Sequence, residues 1–167
     1  MKGLAHKFGN DVNTDYIISG KYKFKTLDMA ELSRHLFEDL VPEFHSRVEE
    51  GDVIVAGGNF GCGSSREQAP LVIRGAGISC VVAESFARIF YRNAINVGLP
   101  VVVCDTKQIE DGDLLEIDIA TGTLRDRTRD LSIEFKPLPP IMGRILEAGG
   151  LANYIREHGG FPSELGG

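Results

Sequence analysis

The chain has 167 residues, of which 43% are hydrophobic and 25% charged, with a formal net charge of −6. That length and balance fit one globular domain with its own core, and the acidic balance argues against nucleic acid as the main partner. No apolar run approaches the ~20 residues of a membrane span, and the first residues lack a signal-peptide hydrophobic region, so a cytoplasmic protein is expected.

Residues 4–8 read as a first strand, and Asn10-Asp11-Val12-Asn13-Thr14-Asp15 as a polar turn. Asp28 has the chemistry of a helix start, with Leu32, Leu36, Phe37 and Leu40 at helical spacing behind it and Pro42 past its end. Residues 42–48 suit a short second helix. Three β-branched runs follow, at 52–56, 78–83 and 100–104, separated by helical patterns; these read as buried parallel strands. Between the last two, residues 85–96 carry Phe86, Ile89, Phe90 and Ile95 at helical spacing.

The pattern then changes. Residues 114–119 alternate, Thr121-Gly122 turns, 123–127 runs back and 131–135 alternates again, the signature of an antiparallel meander. After a linker at 137–140, residues 141–148 and 151–158 suit terminal helices split by Gly149-Gly150, and 159–167 reads as a flexible tail. The expectation is one α/β domain with a mainly parallel central sheet and an added antiparallel β meander.

Chemistry concentrates in Gly57-Gly58-Asn59-Phe60-Gly61-Cys62-Gly63-Ser64-Ser65-Arg66-Glu67. Its glycines permit close backbone approach, and it lies between a strand and a helical pattern. Ser64 and Glu67 have the spacing of a capping box, and Pro70 then requires either a cap nearer Ser65 or a kinked helix. Free N–H groups at such a helix start, with the planar fork of Arg66, suit an anionic small molecule. Locally a second reading stays open, in which Ser64 only caps a helix and the glycines only shape a turn.

Cys62, Cys80 and Cys104 are widely spaced and contain no C-x-x-C, so no zinc or iron–sulfur framework is expected on this chain. Cys80 and Cys104 read as core residues, while Cys62 lies inside the glycine loop. His6, His35, His45 and His158 form no ligand-like pair.

Three blocks in order, residues 11–18, 61–70 and 85–93, together with the terminal 145–151, resemble the small subunit of 3-isopropylmalate dehydratase in the aconitase superfamily. The resemblance runs from about Lys7 to about Arg156. It implies that residues 1–167 form one swivelling β/β/α domain, which closes over a large subunit carrying a [4Fe-4S] cluster. The implied reaction is a hydro-lyase dehydration and rehydration on a malate-type di- or tricarboxylate. By resemblance Ser64 is the base, Ser65 hydrogen-bonds the substrate and Arg66 clamps a carboxylate. Asp15 lies near the site, or serves only its turn. Arg88, Arg92 and Asn93 either contact the catalytic loop or make surface or intersubunit salt bridges.

By the same resemblance the substrate-selecting loop falls within residues 20–26, with Lys23, Phe24, Lys25 and Thr26 as the expected substrate contacts. Phe24 turned inward suits a branched apolar substituent, and a lysine turned inward suits a third carboxylate. Isopropylmalate is therefore the leading substrate, with homoaconitate and dimethylmalate types as alternatives. A different class also stays open, a stand-alone anion-binding regulatory module, although the Gly-Lys-Ser/Thr ending of a phosphate loop is absent.

Overall fold

The computed structural model describes residues 1–22, 25 and 28–161. In chain order the elements are β1 (Lys2–Lys7), α1 (Thr14–Ile17), α2 (Met29–Ser33), β2 (Val53–Ala56), α3 (Gln68–Gly75), β3 (Cys80–Ala83), α4 (Arg88–Asn96) and β4 (Val101–Val103). Then come β5 (Leu114–Asp118), β6 (Thr123–Asp126), β7 (Leu131–Glu134), α5 (Pro140–Glu147) and α6 (Leu151–His158).

The seven strands form one mixed sheet in the order β4-β3-β2-β1-β5-β6-β7. β1 to β4 pair in parallel, and β5 to β7 continue the sheet antiparallel from β1. The two halves follow from the sequence pattern. β2 and β3 are buried along their whole length, as parallel strands covered on both faces must be. β5 and β6 alternate between deeper and more exposed positions, as one-sided strands do.

Successive residues of β2 serve two cores. Ile54 and Ala56 pack under the helices, with Leu36, Phe37, Val72, Ile73 and Phe90. Val53 and Val55 face the other way, into a second cluster with Leu115, Ile117 and Leu124 of the meander. The parallel strands are thus sandwiched between helices and antiparallel strands, a β/β/α layering. Cys80 is wholly buried in the second cluster and Cys104 packs against it; burial pushes the Cys104 thiol up to about 12, so neither is a nucleophile.

Buried His6 is also structural. Its Nε2 lies 2.7 Å from Asp52 Oδ2, tying β1 to the start of β2. Burial works against the Asp52 charge, yet hydrogen bonds from the Glu49 N–H, His6 and the Leu4 N–H outweigh it and hold the carboxyl below its ordinary value.

Two expectations change. The helix after Asp28 ends at Ser33 instead of running to Leu40. Asp28 does cap it, accepting from the Ala30 N–H at 2.9 Å. The chain then turns repeatedly, with Phe37 in the left-handed region at φ 55°, so that Leu36 and Phe37 both reach the core. Phe37 stacks on Phe8 at 4.3 Å and meets Phe44 edge-on, and that packing outweighs helix propensity. Leu40 is left exposed. Residues 44–47 form a short 3-10 turn within the span read as a second helix.

The second correction is at the glycine loop. α3 starts at Gln68, after Glu67, and no side chain caps it, so the Ser64–Glu67 capping box is not formed. Pro70 is then the third residue of the helix, where its missing N–H has no intrahelical acceptor to lose, and no kink is required.

Candidate active site at the ends of the parallel strands

Three loops that follow β1, β2 and β3 converge at the carboxyl ends of those strands, the usual place for a site in an α/β sheet. Short bridges prolong the pairing beyond the strands, joining Asn13 to Cys62 and Phe60 to Phe86. Backbone bonds complete the joint: Gly61 N–H to Val12 O at 2.8 Å, Thr14 N–H to Cys62 O at 2.8 Å and Ala87 N–H to Phe60 O at 2.9 Å. The glycines are required here. Gly61 has φ +79° and a Cβ on it would overlap the Phe90 ring; Gly63 has φ +89° and a Cβ on it would run into the Asn13 amide.

This attachment explains why the serines lie outside the helix. The Thr14 hydroxyl donates to the Ser64 carbonyl at 2.7 Å, and Arg66 Nη1 donates to the Ile18 carbonyl at 3.3 Å. Residues 63–66 are therefore drawn out along α1 before the chain winds into α3. Ser64 and Ser65 stay exposed.

Arg66 is held on a second side. Its Nη2 lies 2.5 Å from Asp15 Oδ1. The Arg66 side chain is 19% exposed, against 53% for Asp15, so the guanidinium is the better shielded partner. Asp15 itself is placed by α1, whose N-cap Asn13 accepts from the Asp15 N–H at 2.8 Å. Gly20 packs so close that a Cβ there would come within 3.0 Å of Arg66 Nη2.

Thr14, Gly61, Gly63, Ser64, Ser65 and Arg66 line one side of a cleft of about 390 Å³. Residues of α4 line the other, with Arg88, Ile89, Phe90 and Asn93 among them. The floor is apolar and the rim carries two guanidinium groups and two hydroxyls. Such a cleft can hold a small acid by its carboxylates and bring an exposed hydroxyl against its carbon skeleton.

The structure thus brings Ser64, Ser65, Arg66 and Asp15 together, with Arg88 and Asn93 opposite. Lys25 is not among the lining residues of the cleft; its Nζ sits over the Tyr22 ring, 5.6 Å from the centroid. Lys23, Phe24 and Thr26 lie outside the described residues. Tyr22 donates to Glu38 Oε1 at 2.5 Å and stacks on His35 at 3.9 Å, which anchors the chain just before that segment. Sequence reasoning missed the structural parts of Thr14 and Gly20. Their only signal was position, beside Asp15 and ahead of the lysine-rich segment. Among the described residues no three His, Cys, Asp or Glu are grouped to hold a metal ion, and no helix is long and apolar enough to cross a membrane.

Known proteins match the chain over nearly its whole length. The aconitase C-terminal domain family matches residues 13–106, which span the glycine loop and α4. The 3-isopropylmalate dehydratase small subunit 2 of Archaeoglobus fulgidus is 52% identical over 95% of this chain and 96% of its own length. The small subunit 1 of Thermotoga maritima is 47% identical over 97% and 98%. The crystal structure of 3-isopropylmalate dehydratase from Methanocaldococcus jannaschii superposes with a TM-score of 0.91 at 49% identity, covering 95% of this chain and 94% of that one. With a β/β/α fold, a serine- and arginine-bearing glycine loop and relatives matched nearly end to end, the chain belongs to the family of 3-isopropylmalate dehydratase small subunits.

Proposed function

We propose that this chain is the small subunit of a two-subunit hydro-lyase that interconverts 2-isopropylmalate and 3-isopropylmalate, a step of leucine biosynthesis. The observation that supports it most is Arg66 held by Asp15 beside the exposed Ser64 on the rim of one cleft.

The reaction removes a proton from a carbon next to a carboxylate and hydroxide from the neighbouring carbon, then returns water in the opposite sense. In this reading Arg66 binds a substrate carboxylate with its planar fork. Asp15 and the Ile18 carbonyl engage two of the five guanidinium N–H groups and hold Arg66 in place, which leaves the others for the substrate. Ser64 then takes the proton from the carbon. An ordinary hydroxyl is far too weak a base, so its ionised form must be favoured by the cations around it, Arg66 and Arg88 on this chain. Ser65 hydrogen-bonds the bound acid.

A [4Fe-4S] cluster belongs to the large subunit in this reading, and the cysteines of this chain lack the spacing of cluster ligands. That partner supplies the acid chemistry that draws off the hydroxyl. The test is hydration of isopropylmaleate, cis-homoaconitate, cis-aconitate and dimethylmaleate by this chain mixed with its cluster-loaded large subunit. Preference for isopropylmaleate is expected; preference for a tricarboxylate overturns the substrate assignment.

A further inference from the structure

α4 carries more than its side of the cleft. Arg88 and Arg92 are four residues apart and so share one helical face. Both are exposed, and neither meets a carboxylate among the described residues. Arg66, Arg127 and Arg129 each pair with one at 2.5–2.8 Å, while Arg34, Arg125 and Arg144 have none among the described residues, so what sets Arg88 and Arg92 apart is their place beside the cleft. Ile89, between the two, is 55% exposed.

Behind this face runs a groove of about 490 Å³ between α4 and the terminal helices. Its floor includes Ile95, Ile141, Met142 and Leu151, and Arg88 and Arg92 line it as well. Arg88 also lines the Ser64 cleft, so cleft and groove form one continuous surface. An apolar floor flanked by arginines has the make-up of a protein interface, where arginine and aliphatic anchors are enriched. An anionic metabolite explains the guanidinium groups but not the apolar floor.

We propose that Arg92, with the α4–α5–α6 groove, is the docking strip for an acidic segment of the large subunit that carries apolar side chains into the groove. The proposal rests on the two-subunit reading above. A body that covers Ser64 must pass over Arg88, and the groove begins on the far side of that residue. Two guanidinium groups with no carboxylate partner among the described residues, on a chain of net charge −6, fit carboxylates supplied from outside. A second copy of this chain fits less well, because a two-fold contact centred on α4 sets arginine against arginine.

The experiment titrates the cluster-loaded large subunit against the full chain. Sedimentation reads the dissociation constant, and hydration of isopropylmaleate reads the rate at saturation. Arg92→Glu is expected to raise the dissociation constant ~10-fold or more, the scale of a lost interfacial charge pair meeting a like charge. The saturated rate should stay within about twofold, and Arg92→Lys should recover most of the affinity. An unchanged dissociation constant in Arg92→Glu overturns the docking strip. So does a collapse of the saturated rate at unchanged affinity, which would place Arg92 in the active site. A parent chain that is dimeric alone and monomeric as Arg92→Glu overturns the choice of occupant in favour of a second copy. Absence of hydration by the parent complex counts against the proposed reaction, and the sedimentation comparison still decides the docking strip.

Discussion

Asp15 and Arg66 form a 2.5 Å ion pair between α1 and the loop after β2, and that pair aims the guanidinium beside Ser64. Arg66 is also fixed by the Ile18 carbonyl and by the closeness of Gly20, so three points on one segment set its position. An arginine held in this way meets a carboxylate with less orientational freedom to lose.

Replacing Asp15 should therefore act on substrate binding more than on the fold. Asp15 is half exposed, and an exposed ion pair contributes little to stability. Asp15→Ala is expected to raise KM several-fold with the melting temperature little changed, and Asp15→Asn, which keeps a hydrogen-bond acceptor, to do less. Steady-state kinetics of the reconstituted complex, alongside thermal melts of the chain, check this. A KM equal to the parent's in Asp15→Ala would remove Asp15 from the site.

Gly61 is a position where the site depends on the backbone. Its φ is +79°, and any Cβ there overlaps Phe90, which is itself buried and meets Phe60 edge-on at 5.2 Å. Gly61→Ala should cost ~2 kcal/mol or more, from left-handed strain and overpacking together. Urea unfolding is the measurement, with an equal midpoint as the contrary result.

The segment just before residue 23 should show its own acid dependence. Glu38 accepts a hydrogen bond from the Tyr22 hydroxyl, is paired with His35, and lies 3.1 Å from Lys21 Nζ. The Tyr22 bond is the largest influence, and against partial burial the set holds the Glu38 carboxyl at about 2. The folded value lies below the unfolded one, so this contribution is present above the ordinary glutamate range and is lost as pH falls from there toward about 2. A carboxyl-carbon NMR titration should find Glu38 near that value and find it raised in Tyr22→Phe. An ordinary glutamate titration in the parent chain would contradict the anchor.

The strands and the meander were legible because their patterns are strong: continuous β-branched runs for β2 and β3, clean alternation for β5. Two errors share one cause. The helix spacing through Leu40 and the Ser64–Glu67 spacing are both local signals, and both lost to contacts made by distant residues. Phe37 leaves the helix to reach Phe8 and Phe44. Ser64 is held out of α3 by Thr14, and Arg66 by Asp15 and Ile18. At the site, Ser64, Ser65 and Arg66 could be read from one short motif. That Asp15 touches Arg66 could not, since nothing in the sequence measures the distance between two loops. Lys25 was grouped with the substrate contacts by resemblance, and no signal in the sequence showed that its ammonium sits over the Tyr22 ring.

Turnover by the complex containing Ser64→Ala shows whether Ser64 takes the proton. Ser64 is exposed, so the variant should fold and bind the large subunit as the parent does. The hydration rate should fall ~10³-fold or more, in the range for loss of a positioned base, with KM changed far less. A Ser64→Ala complex that hydrates isopropylmaleate at nearly the parent rate would contradict that role for Ser64.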